Sequence, residues 1–212
     1  MDSVTQIALG AAVSEAIIGR QVGRKALLWG AIAGTIPDLD VLVPFADPIK
    51  NFTYHRSFSH SFLFLTVLTP ILTWLIVRLH PSTHIYRKRW LVAVFLVLVP
   101  HPLLDCFTVY GTQIFWPFSE YPVTWSTVFI IDPAYTLPLL VGSICTLVMS
   151  RNSLRSRYLN AAGLTLSSAY LIFSMVGKWQ VDRAAMSTLA RYNLSNASYV
   201  TAAAPFNTLL WR

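Results

Sequence analysis

Long apolar blocks separated by short basic connections dominate the chain. Four of them, residues 61–77, 90–106, 128–149 and 161–176, reach or approach the about 17–25 residues that a helix needs to cross a bilayer. Two shorter blocks, 4–19 and 26–36, come first. At about 1.5 Å per residue the second of these covers only part of the hydrocarbon, and such a helix persists where other helices cover its ends. The pattern therefore predicts an all-α, polytopic membrane bundle with four clear spans plus a shorter N-terminal helical hairpin. Within the hairpin, Gly30 and Gly34 form a GxxxG pair and Gly10 and Ser14 a small-xxx-small face, both of which favour close helix approach. Pro70, Pro100, Pro102 and Pro138 are expected to kink or locally unwind their spans.

Composition sharpens this reading. Only 12% of the residues are charged and 55% are apolar, with a mean hydropathy of +0.55. Soluble chains carry roughly twice that charge. Residues 1–177 read as one membrane-embedded domain and 178–212 as a short extramembrane tail, either a small cap or a shortened end. The start Met1-Asp2-Ser3 shows no cleavable signal pattern. Cys106 and Cys145 lie in apolar blocks and read as small buried hydrophobes.

A net charge of +7 in a soluble protein would suggest nucleic acid, but here its placement points to the bilayer, and no nucleic-acid binding is expected. Arg20, Arg24 and Lys25, then Arg78, Arg87, Lys88 and Arg89, then Arg151, Arg155 and Arg157 occupy three connections without any Asp or Glu, whereas 109–127 has no Lys or Arg. Lys and Arg mark the cytoplasmic side. This orients the three basic connections inward and 109–127 outward.

The acidic and histidine residues converge on that outward side. In Pro100-His101-Pro102-Leu103-Leu104-Asp105, His101 and Asp105 are four apart and share one helical face. An ionisable pair inside an apolar span is costly and functional by default, although a His–Asp bond tying two helices together would also account for it. Asp38 and Asp40 follow the short second helix, where loop solvation is the simpler reading of either alone. His55-Arg56-Ser57-Phe58-Ser59-His60 precedes the next span. Asp132-Pro133 reads first as a helix start. Taken together, His55, His60, His101, Asp105 and Asp38 form a candidate metal-ligand set, with Asp40, Asp132 and Arg56 as candidate catalytic residues. Mixed imidazole and carboxylate donors without thiolates suit a divalent metal, zinc foremost, at a catalytic site. Arg56 would pair with a substrate phosphate or snorkel to the interface.

The ordered motifs Met1-Asp2 with Thr5, Gly30-Ala31-Ile32-Ala33-Gly34 into Pro37-Asp38-Leu39-Asp40, His55 to Ser61, His101-Pro102-Leu103-Leu104-Asp105, Tyr110-Gly111-Thr112 and Trp116-Pro117-Phe118-Ser119 resemble the YdjM-like family. The resemblance implies a bacterial inner-membrane, metal-dependent hydrolase, LexA-regulated in some members, and with the outward orientation it implies a site facing the periplasm. That family is distantly similar to zinc-dependent phospholipase C and the single-strand-specific zinc nucleases, whose His-x-x-x-Asp ligand pair matches His101 and Asp105. An upstream carboxylate and histidines would match Asp38 and His55 or His60. One departure stands out: many members carry His where this chain has Gln6, so Gln6 supplies either nothing or support from behind the ligands.

The leading expectation is thus hydrolysis of a phosphoester or lipid-like substrate at the outer membrane face. An ion or metal transporter would use the same His/Asp set, but the polar residues gather at one face rather than the midplane and no repeated halves appear. A serine hydrolase built on Ser57, Ser59 or Ser61 lacks the glycine pattern of a nucleophile elbow. A non-catalytic membrane protein is the remaining alternative.

Overall fold

The computed structural model describes residues 1–42, 56–149, 153–194 and 196–212. Seven α-helices run through these residues: α1 (Ser3–Val22), α2 (Lys25–Thr35), α3 (Phe62–Leu79), α4 (Arg87–Leu98), α5 (Pro100–Cys106), α6 (Pro133–Val148) and α7 (Leu154–Arg191). Short 3-10 turns at Pro37–Leu42, Phe58–His60 and Pro81–Tyr86 link them.

Three stretches are long and apolar enough to cross a membrane: Phe62–Leu79, Pro81–Cys106 and Leu154–Arg191. The fourth expected span, 128–149, begins later than its hydropathy suggests. Asp132 caps α6 by accepting from the Ala134 amide at 3.0 Å, and Pro133 occupies the first turn. The 16-residue helix that follows falls short of a full crossing, so three spans rather than four stand clear. In the other direction, α7 continues without a break past Val176 to Arg191, 38 residues in all.

The lipid-facing surface shows in the side chains left outside. Leu63, Val67, Ile71 and Trp74 form a stripe along α3, each between 46% and 62% exposed. A contiguous apolar stripe of this kind needs hydrocarbon or another protein to cover it. The interior holds two apolar clusters, and α1 contributes to both. Ile18 and Val22 pack with Leu65 and Ile76 of α3 and with Trp90 and Val94 of α4. Ala8, Leu9 and Ala12 pack with Leu104, Tyr135 and Leu139.

Small residues let the helices of the N-terminal hairpin touch backbone to backbone. A Cβ on Gly30 would lie 2.3 Å from the Gly10 carbonyl oxygen, and one on Gly34 would lie 2.6 Å from that of Gln6. The same device joins α6 to α7, where a Cβ on Gly163 would sit 2.4 Å from the Pro138 oxygen. Polar clasps fix the arrangement: Asn160 donates to Ala12 O at 2.9 Å and Ser167 to Tyr135 O at 2.7 Å. In an apolar solvent such bonds hold helices in register. Helices α3 and α6 run on through Pro70 and Pro138, whereas the chain breaks at Val99 ahead of Pro100, and α5 starts there as a separate helix.

Candidate metal centre

Three segments deliver side chains to one buried point. Pro37 ends α2, because a proline disfavours helix in the residue before it, and the turn beyond it carries Asp38 and Asp40. Ser61 caps α3 by accepting from the Phe64 amide at 3.2 Å, which holds His60 immediately before the helix. In α5, Pro100 sits at the first helical position, where its missing N–H costs nothing. His101 and Asp105 follow one helical turn apart on its buried face.

One donor atom from each of Asp38, His60, His101 and Asp105 lies within 4.8 Å of all the others. The Nε2 atom of His101 is 3.3 Å from Asp38 Oδ1 and 3.7 Å from Asp105 Oδ2. That of His60 is 3.4 Å and 3.3 Å from the same two oxygens. The two Nε2 atoms face each other at 3.2 Å. Two bare imidazole lone pairs cannot share that space, so a proton or a cation must lie between them.

What stands behind the rings explains their orientation. His101 Nδ1 donates to the Gly34 carbonyl at 2.7 Å. This leaves Nε2 as the inward acceptor, the arrangement usual for a metal-bound histidine. His60 Nδ1 is 2.9 Å from Ser59 Oγ, and that hydroxyl donates to Asp40 Oδ2 at 2.7 Å. Gln6 Nε2 donates to Asp105 Oδ1 at 3.3 Å and to His101 O at 3.2 Å. The Met1 amino group also lies against Asp105 Oδ1.

Arg56 is buried beside the cluster, with its Nε 3.7 Å from Asp105 Oδ2. Its Nη1 donates to Thr108 Oγ1 at 3.2 Å and its guanidinium lies over the Tyr110 ring at 5.6 Å. Its backbone sits in the left-handed region with φ 66°. The Arg56 amide donates to Asp40 Oδ2 at 3.0 Å, and its carbonyl accepts from Gln113 at 3.0 Å. These bonds tether it on both sides.

The electrostatics are those of a cation site. Burial works against charge on His60, yet bonds with Asp105, Asp38 and Asp40 outweigh it and push the imidazole up to about 10. Burial likewise works against the Asp38 carboxylate, but His101 and His60 hold it well below the usual range. Asp38 Oδ2 and Gln6 Oε1 are buried without a hydrogen-bond partner. Buried acceptors of this kind are expensive unless something positive satisfies them. The donor set therefore fits a divalent metal.

Of the ligand candidates read from the sequence, Asp38, His60, His101 and Asp105 come together, and His55 lies outside the described residues. Asp40 and Arg56 flank the cluster. Asp132 is occupied elsewhere: besides capping α6 it accepts from Tyr170 at 2.8 Å. Sequence reasoning passed over the Gly34 carbonyl, the Ser59 relay and Thr108. The GxxxG pair signalled only the close helix approach around Gly34, and nothing in the sequence assigned these three groups to their roles.

Membrane-length apolar helices around a buried His/Asp pocket able to hold a cation define a helical membrane protein of one recognisable class. The chain belongs to the YdjM inner membrane protein family, which it matches over residues 1–181. It is 28% identical over 143 residues to the uncharacterized protein YfhP of Bacillus subtilis (strain 168), covering 63% of this chain and 42% of that one. The chain thus spans less than half of that relative's length. No solved structure matches it.

Proposed function

We propose that the protein is a membrane-bound metal-dependent hydrolase of phosphoesters, with a lipid-like substrate. The observation that carries this reading is the pocket itself: two inward-facing imidazole nitrogens and two carboxylates, assembled from segments far apart in sequence. A bound divalent cation, zinc on the mixed donor set, would supply Lewis-acid polarisation of a phosphoryl oxygen and of an attacking water. His60, His101, Asp38 and Asp105 would hold it. Asp40, acting through Ser59, fixes the His60 ring and is placed to accept a proton at Oδ2. Arg56, whose buried Nε pairs with Asp105 at 3.7 Å but makes no hydrogen bond, is offered to a phosphate oxygen, a pairing for which guanidinium geometry is suited.

Two further features favour a lipid substrate over a soluble one. The connection 107–127 is tied to the pocket by Phe62 N to Ile114 O and Gln113 N to Arg56 O, both at 3.0 Å. It exposes Tyr121 and Trp125, by 73% and 37%. Aromatic side chains of this kind favour the membrane–water interface. In this reading the face is periplasmic, an orientation supported by the placement of Lys and Arg in the other connections.

The test is turnover by the purified protein in nanodiscs. Hydrolysis of phosphodiester or phospholipid substrates, abolished by chelation and restored by zinc, is the expected result. Metal flux into proteoliposomes without any turnover would replace the hydrolase with a transporter.

A further inference from the structure

The far end of the α3–α4 hairpin carries a second site. Asp38, His60 and His101 lie at one end of these helices; at the other, a cavity of about 880 Å³ opens between the last turns of α3 and the first turn of α4. Its lining is apolar at Pro70, Trp74, Val77 and Leu91 and basic at Arg78, His84, Arg87 and Lys88. No carboxylate lines it, and residues 78–89 contain no Asp or Glu. Among the described residues, none of the ion pairs involves Arg78, Arg87 or Lys88. Arg78 lies over the ring of Trp74, another residue of the lining, at 5.7 Å.

Three like charges gathered at one rim repel one another unless an anion lies between them. The ligand must also match an apolar wall that continues into a membrane-facing surface. Trp74 belongs both to the cavity and to the exposed stripe of Leu63, Val67 and Ile71 along α3. An anion joined to hydrocarbon chains satisfies both ends. We propose that this cavity binds one anionic phospholipid, its phosphate held by Arg78, Arg87 and Lys88 and its acyl chains lying along the α3 stripe. Basic pockets between membrane helices are suited to such headgroups. The site is separate from the metal pocket and stands whether or not that pocket is catalytic.

Native mass spectrometry of the full-length protein released from neutral detergent tests this, with phosphatidylglycerol, phosphatidylcholine and inorganic phosphate as probes. The expected result is one phosphatidylglycerol retained per chain and no comparable retention of phosphatidylcholine. Arg78→Gln with Arg87→Gln should weaken that binding by about tenfold or more, while Arg155→Gln with Arg157→Gln, in a different basic connection, leaves it unchanged. Should the first pair fail to fold by circular dichroism, Arg87→Gln with Lys88→Gln carries the same expectation. Equal loss in both sets of variants would show diffuse surface attraction and overturn the site, as would undiminished binding in the rim variants. Inorganic phosphate that displaces the lipid at similar concentration would reduce the cavity to a simple anion site and also contradict the proposal.

Discussion

Asp40 and Gln6 touch the ligands from behind, and their influence is measurable apart from the ligands themselves. Asp40 acts on His60 through the Ser59 hydroxyl, and Gln6 braces Asp105. Replacing such supports typically costs about 10–100-fold in metal affinity. Asp40→Asn and Gln6→Leu should each weaken metal binding by that order while leaving the helical content intact, as read by metal titration and circular dichroism. Unchanged affinity in both would mean that the rings and carboxylates are oriented by packing alone. The ligands were legible because His101 and Asp105 recur at helical spacing in an apolar span, and because Asp38 and His60 fall on the same predicted side. Asp132 was legible as a cap from the Asp-Pro pair, and the structure uses it so. What serves His101 from behind is a backbone carbonyl, and every residue has one. No side-chain pattern could single out Gly34 for that task.

Helix packing decides whether those groups meet at all. The hairpin of α1 and α2 closes until the Gly34 carbonyl reaches His101, and this approach requires that positions 10, 30 and 34 carry no side chain. Gly34→Ala should therefore destabilise the protein by about 1–3 kcal/mol, the usual cost of overpacking, and lower metal affinity as well. Gly177→Ala is the contrasting case: there a Cβ would meet the movable Trp211 ring at 3.3 Å, and thermal unfolding should change little. Equal melting of the two variants would contradict the close-approach account. Small residues made the hairpin readable before the structure. The lengths of two other helices were not. Hydropathy ran ahead of α6 across residues 128–131, where Asp132 and Pro133 set the true start. It also faded after Val176, although an Ala-rich stretch (Ala184, Ala185, Ala190) of high helix propensity carries α7 on to Arg191.

For the whole molecule, the basic connection 78–89 and the aromatic connection 107–127 lie at opposite ends of the α3–α4 hairpin. The Lys and Arg distribution predicts that the first is cytoplasmic. Ser82→Cys should react with a membrane-impermeant maleimide only after cells are permeabilised, and Glu120→Cys should react in intact spheroplasts. The reverse pattern would turn the pocket toward the cytoplasm and require a cytoplasmic substrate. Charge placement carries the expected topology, but the meeting of three distant segments at one point is a product of tertiary packing. Elemental analysis of the purified chain tests that meeting point. Wild type should carry at least one divalent ion per chain, Asp132→Asn should retain it, and His101→Ala and Asp105→Asn should lose most of it while remaining folded. Full metal content in both His101→Ala and Asp105→Asn would show that the pocket is not where the ion binds.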